Sequence, residues 1–460
     1  MIEVPTPSAG PMTRTISIAL ALALIAAGCG SDAKTGSSAA PVAAPITSEV
    51  PAVASPPVTE PETTTPAISE PASTQPNATD APGMILSSLE AKIRAAMAAS
   101  LEPGFYTISP GAPADSLPSG SSIGIRVPGQ PDLLIGVGSE ATHPDAAFDP
   151  TALFSMSDIT VNILFALYDM LVDEGTIDPN TPLSNWLPTY PNATRITFQM
   201  LRDGDYGGHG MAEIVNWVEL VTSDWTKNWT LEEVLAEAAK ATPGAIGTKG
   251  NGATAATALA FMIEKATGQT FAELVDSRFA KPLGLHDTRI IDAAALPSNF
   301  SHGRFNFNGT AHTTADFPLN SYMTFNVAHS SLLSTLSDQL TLLRAMSTGT
   351  VPGLHRLPTP DKFKADHLLS DSDGDRYVGD KFPLNLHCPC QAAGDGFTGT
   401  AIGRRANDIA ALTHWYYFPK ADVAIVIHNN SNEEATPLEV MNLVYRIYGM
   451  VSGDVVPATP

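Results

Sequence analysis

The chain has 460 residues, of which 43% are hydrophobic and 16% charged, and its formal net charge is −22 at pH 7. This length accommodates one large domain or two ordinary ones. The acidic balance argues against a nucleic-acid partner, because binding nucleic acid usually requires a basic surface patch.

The first 29 residues predict an export signal rather than part of a folded domain. "MTRTISIALALALIAAGC" has one arginine, an apolar run, small residues and a cysteine, which is the layout of a secretory signal. Its ending "AAGC" resembles a bacterial lipobox, so we expect lipid on Cys29 and anchoring to the outer side of the bacterial cell membrane. Ordinary cleavage with free secretion is the alternative. Translation starts at Met1 or at Met12.

Residues 30–84 predict a disordered linker. The stretch "PVAAPITSEVPAVASPPVTEPETTTP" has few bulky side chains with which to form a core. Its frequent prolines favour an extended backbone. Such a segment would hold a folded domain away from a membrane anchor.

A globular domain is predicted over residues 85–455. "ILSSLEAKIRAAMAASL" has apolar residues at helical spacing, and "SSIGIRVPGQPDLLIGVG" indicates two strands joined by a turn. "ITVNILFALYDMLVDEG" predicts a helix that ends at Gly175. One face of this helix carries Ile163, Leu164, Leu167, Met170 and Leu171.

The second half of the domain alternates helices and strands. "ATALAFMIEKATG", "TFAELVDSRFA" and the final "PLEVMNLVYRIYGM" predict helices, and "ALTHWYYFPKADVAIVIHNN" predicts two strands. The aromatic run 415–418 is expected to alternate between the two faces of its strand and pack in the core. Strands near both ends of the domain predict a sheet whose edge strands come from both termini.

Three long segments, in order, resemble landmarks of one enzyme superfamily. They are "LYDMLVDEGTIDPNTPLSNWLPTYPNATRITFQML", "TPGAIGTKGNGATAATALAFMIEKATGQTFAELVDSRFAKPLGLHDT" and "AHSSLLSTLSDQLTLLRAM". The resemblance is to the serine β-lactamase and penicillin-binding protein superfamily, in the branch with class C β-lactamases, D-aminopeptidases and esterases. It covers about residues 85–450. It implies an α+β, β-lactamase/transpeptidase-like fold, with an antiparallel sheet flanked by helices and a helical subdomain.

The catalytic positions of that superfamily are only partly kept in this chain. Its members use a serine nucleophile, a lysine one helical turn later and a tyrosine in Tyr-x-Asn. Here Ser157 stands at the nucleophile, and Thr160 replaces the lysine. Lys249 replaces the tyrosine, while Asn251 matches the asparagine. A threonine hydroxyl is not a base near neutral pH, so the usual proton acceptor is missing.

The last motif of the superfamily is a strand that begins with lysine or histidine followed by Thr-Gly. In "GFTGTAIG" Phe397 takes the first position, while Thr398 and Gly399 match. The resemblance implies that these residues contact substrate. It also implies an oxyanion hole formed by the backbone amides of Thr400 and Ser157. His209 or Arg404 is a candidate to replace the missing cationic or hydrogen-bonding group.

Two functional interpretations remain open at this stage. In the first, Lys249 acts as the base for Ser157 in a serine hydrolase that attacks an amide or ester. In the second, the chain is a catalytically inactive pseudoenzyme that binds a peptidoglycan-like fragment, another small molecule or a protein. A weaker third idea is a structural domain whose cleft is filled by its own side chains. We expect a monomer without a cofactor.

The remaining reactive residues give weaker signals. Cys388 and Cys390 in "HCPC" are expected to form a disulfide or stay as two thiols, since they and His387 cannot easily surround a zinc ion. The stretch "DSDGDRYVGD" is expected to be a solvated acidic loop, because its glycine is misplaced for a calcium-binding loop. The scattered histidines lack metal-ligand spacing and are assigned structural roles, so no metal site is predicted. This last group comprises His286, His302, His312 and His329.

Overall fold

The computed structural model describes most of the chain between residues 86 and 453. The described ranges are 86–102, 105, 113–208, 217–248, 250, 252–291, 296–307, 309–355, 368–370, 376–378, 385–388, 401–431 and 437–453. For residues 368–370, 376–378, 385–388 and 437–442 only the backbone is described.

The described strands fall into one large sheet and two small ones. They are β1 (Gly120–Arg126), β2 (Leu133–Gly138), β3 (Phe154–Ser155), β4 (Arg289–Ile290), β5 (Arg304–Phe307), β6 (Thr310–Thr313), β7 (Leu332–Ser334), β8 (Leu368–Ser370), β9 (Arg376–Val378), β10 (Asn385–Cys388), β11 (Ala401–Asp408), β12 (Ala411–Phe418) and β13 (Val423–Asn429).

The described helices flank the large sheet or form a separate helical region. They are α1 (Leu86–Ala99), α2 (Ile159–Asp173), α3 (Phe198–Asp203), α4 (Trp217–Ser223), α5 (Leu231–Ala238), α6 (Gly252–Thr267), α7 (Phe271–Val275), α8 (Lys281–Leu283), α9 (Asn320–Phe325), α10 (Val327–Ser330), α11 (Leu336–Thr348) and α12 (Pro437–Ser452). A π-helical turn, Asp276–Ala280, joins α7 to α8.

The large sheet is antiparallel, with the strand order β2-β1-β13-β12-β11-β10-β9-β8. The N-terminal hairpin therefore pairs with the last strand, in the register Ile123 to Ile427. The expectation that both edges come from the termini is wrong at one edge. β13 is an inner strand with every residue buried, and the second edge is β8. A strand as apolar as "VAIVI" is most stable with neighbours on both sides and covered faces.

Two hydrophobic clusters cover the two faces of this sheet. α1 and α12 belong to one cluster, and α2, α6 and α11 belong to the other. Tyr416 and Phe418 point into the first cluster, whereas Trp415 and Tyr417 point into the second. The alternating packing predicted for this aromatic run is therefore confirmed.

The helix α2 is more deeply buried than its sequence suggests. Every residue from Ile159 to Leu171 is buried, including Asn162 and Asp169. The five apolar residues predicted to share one face are buried, and the other sides are buried as well, because α2 contacts other helices and strand β11 on several sides. Arg202 of α3 lies 3.5 Å from Asp169 and compensates its buried charge.

Candidate active site

Short strand pairing places the N-terminus of α2 deep in the domain. β3 pairs with β7, with Phe154 opposite Ser334 and Ser155 opposite Leu333. The backbone N–H of Met156 then donates to the carbonyl of Leu332 at 2.8 Å. Three residues after β3 ends at Ser155, the chain enters α2 at Asp158. Ser157 occupies this tight connection.

Ser157 has an unusual backbone and an unusual side-chain environment. Its φ is +51°, in the left-handed region that residues other than glycine rarely adopt. The residue is fully buried. Its Oγ has no hydrogen-bond partner among the described residues. Backbone strain and an unsatisfied buried hydroxyl each cost free energy, and both are frequent at functional sites.

The backbone amide of Ser157 is already engaged. It donates to Ser155 Oγ at 3.2 Å, although the resemblance to the superfamily assigns this amide to an oxyanion hole. Ser155 Oγ in turn donates to Asp408 Oδ2 at 2.5 Å. In this conformation the Ser157 amide is therefore part of a hydrogen-bond chain that runs through Ser155 to Asp408.

Thr160 is held by two hydrogen bonds at the position of the expected lysine. Its Oγ1 donates to the carbonyl of Ser157 at 2.8 Å and accepts the N–H of Leu332 at 3.1 Å. The side chain is fully buried. Thr160 thus ties the start of α2 to β7, which is a structural role without proton transfer.

Asp408, at the end of β11, is a buried carboxylate behind Ser157. It accepts hydrogen bonds from Ser155, from the hydroxyl of Tyr322 and from the N–H of Ile409. Burial raises the pKa of Asp408, and the charge of Asp158 adds to this effect. Burial also raises the pKa of Tyr322 well above its usual value, with the Asp408 carboxylate as the next cause.

The carboxylate of Asp158 lies beside a histidine and an arginine instead of capping its own helix. The Asp158 side chain makes no cap hydrogen bond. His329 Nε2 lies 3.1 Å from one carboxylate oxygen, and Arg404 lies 3.8 Å from the other. Arg404, named above as a possible replacement for the missing cation, therefore faces Asp158. It also donates to Asn162 Oδ1 at 3.4 Å.

The other predicted site residues lie outside the described residues. These are Lys249, Asn251, Thr398, Gly399 and Thr400, together with Phe397, His209, Cys29 and Cys390. Cys388 ends strand β10, where its backbone pairs with Arg376. The distance from Lys249 to Ser157 and the pairing of the two cysteines thus stay predictions.

The backbone on either side of Lys249 is well anchored. The N–H of Gly250 donates to the carbonyl of Gly204 at 2.7 Å, and the N–H of Gly207 donates to the carbonyl of Thr248 at 3.0 Å. A Cβ atom at Gly250 would lie 2.2 Å from the ring of Tyr206. Glycine is therefore required beside Lys249, because this loop packs directly on the aromatic ring.

Several polar residues of this region were not predicted to be functional, and His329 was assigned only a structural role. Asp158, His329, Ser330, Tyr322 and Asp408 come from three distant segments of the chain. One signal was available: "AHSSL" places the three polar residues His329, Ser330 and Ser331 in a row between Ala328 and Leu332.

Neither a metal site nor a membrane span is found in the described part of the chain. No group of three or more histidine, cysteine, aspartate or glutamate side chains could hold a metal ion there. No described helix is both long and apolar enough to cross a membrane.

A family model described as Beta-lactamase matches residues 118–449. The chain therefore belongs to the β-lactamase family, the serine β-lactamase and transpeptidase-like superfamily that its motifs resemble. No curated protein sequence matches the chain.

Solved structures support the same fold. D-amino acid amidase from Ochrobactrum anthropi SV3, complexed with L-phenylalanine amide, superposes with a TM-score of 0.61 at 18% identity, covering 79% of this chain and 99% of that one. D-stereospecific amidohydrolase from Streptomyces sp. gives 0.60 at 17% identity, covering 79% and 99%. A penicillin binding protein from Bacillus halodurans gives 0.55 at 17% identity, covering 72% and 97%. The predicted fold class is confirmed.

Proposed function

We propose that this protein is a serine hydrolase that cleaves an amide or ester through an acyl-enzyme on Ser157. The observation that carries the proposal is the state of Ser157 itself. Its left-handed backbone and unpartnered, buried hydroxyl are energetically costly. A serine with only a structural role at a helix start would normally bond its hydroxyl to a backbone N–H.

Lys249 is the proposed base. Thr160 cannot accept the proton, since its hydroxyl proton is donated to the Ser157 carbonyl and its oxygen already accepts the Leu332 amide. A lysine shielded from solvent can lose its proton near neutral pH. In this proposal Ser157 Oγ attacks the carbonyl carbon as Lys249 Nζ takes its proton. The leaving amine or alcohol then receives that proton.

The remaining matched residues have supporting roles in the proposal. Asn251, Thr398 and Gly399 contact the substrate, and the Thr400 amide stabilises the oxyanion. The Ser157 amide can contribute only if it exchanges its bond to Ser155 for one to the substrate oxygen. The structural neighbours include a D-amino acid amidase and a D-stereospecific amidohydrolase, so an amino acid amide is the first substrate to test.

A second candidate is a pseudoenzyme that binds a peptidoglycan-like or other small ligand without cleaving it. Two observations favour it: Thr160 has become a structural residue, and the Ser157 amide is engaged internally. Ser157 is also fully buried. In this candidate the polar residues around the start of α2 only stabilise the fold.

The proposed location is the outer face of the cell membrane, with lipid on Cys29. This proposal depends on the sequence "AAGC" and on the spacer-like composition of residues 30–84. Expression of the full chain and of Cys29→Ala in a bacterial host, followed by membrane fractionation, tests it. We expect the wild type in the membrane fraction and the variant in the soluble fraction.

The catalytic proposal is tested by fluorophosphonate labelling of the full chain, followed by tryptic peptide mapping. Ser157 lies on the tryptic peptide 127–195. We expect one adduct on this peptide that is lost in Ser157→Ala and in Lys249→Ala. Ser122→Ala is the matched control, since Ser122 is also buried with no described hydrogen-bond partner. An adduct that persists in Lys249→Ala would remove Lys249 as the base.

A further inference from the structure

A serine, a histidine and an aspartate lie next to one another, in that order, beside the start of α2. Ser330 Oγ lies 2.8 Å from His329 Nδ1, and His329 Nε2 lies 3.1 Å from Asp158 Oδ1. We propose that Ser330, His329 and Asp158 form a second acyl-accepting centre, with Ser330 as nucleophile and His329 as base. Its substrates would be esters or amides with an accessible carbonyl group.

The neighbours of the His329 ring favour one of its two tautomers. An ionised carboxylate attracts an N–H group, so the Asp158 oxygen 3.1 Å from Nε2 favours the proton on that nitrogen. In the neutral ring Nδ1 is then a lone-pair acceptor, and the Ser330 hydroxyl donates to it. This arrangement of nucleophile, base and orienting carboxylate is recognised by geometry, irrespective of the order of residues along the chain.

The surroundings hold the three residues in place. Ser330 ends α10, and its carbonyl accepts from Ser155 Oγ at 3.4 Å. The side chain of Asp158 is 8% exposed and has Arg404 at its second oxygen. His329 is 17% exposed, so solvent reaches the base, whereas Ser330 is 2% exposed. A carbonyl group must therefore approach along the exposed edge of the histidine ring.

This centre goes beyond the proposed function, because it uses neither Ser157 nor Lys249. It also includes a base for its serine, which Ser157 lacks at the lysine position of the superfamily. Thr160 offers Ser157 no base, whereas Ser330 has a base within hydrogen-bond distance. Asp158 is the residue after Ser157, so the two centres would adjoin.

The proposed reaction balances without any further reactant than water. Ser330 Oγ bonds to the carbonyl carbon, and its proton passes to His329 Nδ1. The tetrahedral intermediate releases an amine or alcohol, which takes that proton from Nδ1. Water then attacks the Ser330 ester and gives its proton to His329, which returns it to Ser330 Oγ as the carboxylic acid departs. Asp158 stays beside Nε2 throughout and is a positioning residue.

The test is the same fluorophosphonate labelling, because the two serines lie on different tryptic peptides. Ser330 lies on peptide 305–344 and Ser157 on peptide 127–195. Serine attacks phosphorus and fluoride leaves, so the adduct marks the nucleophile in the wild-type chain without any variant. We expect an adduct on peptide 305–344 that fragmentation assigns to Ser330.

Variants then separate catalysis from a purely structural contact. We expect Ser330→Ala to abolish the adduct, and His329→Gln to slow labelling by about 100-fold or more, since glutamine cannot take a proton. Asp158→Asn should slow it while leaving the adduct on Ser330. Ser331→Ala is the matched control, because this neighbouring serine is buried and its hydroxyl bonds only to the Met323 carbonyl among the described residues.

Each outcome decides between the two proposals. An adduct on Ser157 alone overturns this inference and supports the proposed function. An adduct on Ser330 alone supports the inference and overturns the assignment of Ser157 as nucleophile. The absence of any adduct at pH 6–9 overturns both and favours the pseudoenzyme. Labelling of Ser330 that is unchanged in His329→Gln overturns the role of His329.

Discussion

At the residue scale, Thr160 shows how a catalytic position can become structural. A lysine there would bring a charge into a fully buried location, whereas threonine completes two hydrogen bonds between α2 and β7. The hydroxyl therefore contributes to the stability of the same segment that presents Ser157.

We predict that Thr160→Val lowers the free energy of unfolding by about 1–3 kcal/mol, because it leaves the Leu332 amide unsatisfied in the interior. Thr160→Ser keeps the hydroxyl, so its free energy of unfolding should fall by less, about 1 kcal/mol for the missing methyl group. Urea denaturation of both variants measures the difference. Equal losses would mean that the hydroxyl contributes nothing.

His428 in β13 provides a second prediction at the residue scale, on pH dependence. Its ring stacks on Phe154 and bonds to Thr413 and Gln339. Burial lowers the pKa of His428 to about 3. In the unfolded chain this histidine therefore takes up a proton near pH 6.5, whereas in the folded chain it stays neutral. The stability that it contributes above pH 6.5 is lost as the pH falls.

From this single histidine we expect the wild type to lose about 2 kcal/mol of unfolding free energy between pH 7 and pH 5. The variant His428→Gln removes the titrating group. The difference in unfolding free energy between wild type and variant should therefore be smaller at pH 5 than at pH 7 by that amount. Denaturant titrations at both pH values give the two differences. A pH-independent difference would show that His428 does not titrate on unfolding.

At the element scale, strand β11 approaches β12 so closely that one position must be glycine. A Cβ atom on Gly403 would lie 1.7 Å from the backbone oxygen of Trp415. The next residue on β11 is Arg404, which faces Asp158. The close approach of these two strands therefore also determines where one cation of the candidate site lies.

We predict that Gly403→Ala destabilises the domain by about 3 kcal/mol or more, because backbone atoms must move apart. Gly124→Ala in β1 is the matched control. Its new methyl group would meet the side chains of Leu336 and Leu340 at 3.2 Å, and these can shift slightly. Thermal unfolding should show a much larger decrease in Tm for Gly403→Ala. Similar decreases for both variants would contradict the backbone clash.

At the scale of the whole molecule, α1 covers one face of the large sheet. Its buried side chains Leu86, Leu89, Ile93 and Met97 belong to the same cluster as Ile123 and α12. The first described helix is therefore an integral part of the packed domain.

We predict that deletion of residues 1–84 leaves the unfolding midpoint nearly unchanged. Deletion of residues 1–100 should abolish cooperative unfolding, since four buried apolar side chains at about 2 kcal/mol each are comparable with the stability of a whole domain. Circular dichroism during urea titration compares the two truncated proteins. A cooperative transition without α1 would show that the sheet is stable with this face uncovered.

The fold was largely predictable because its signals are local. Helical spacing in "ILSSLEAKIRAAMAASL" and the turn in "SSIGIRVPGQPDLLIGVG" predicted α1, β1 and β2, and the order of motifs predicted the superfamily. The burial of α2 on all sides and the inner position of β13 were missed. Both depend on which segments pack together, and hydrophobic periodicity within one segment does not contain that information.

The amino-acid order alone was enough to indicate the family and to single out Ser157 as the serine to examine. Only the folded chain brings His329 and Ser330 to Asp158, and Tyr322 to Asp408, because these partners are distant along the chain. Hydrogen bonds between distant segments form only when the core packs, and their energies depend on burial that no single segment provides. The chemistry of this site is therefore a property of the tertiary structure.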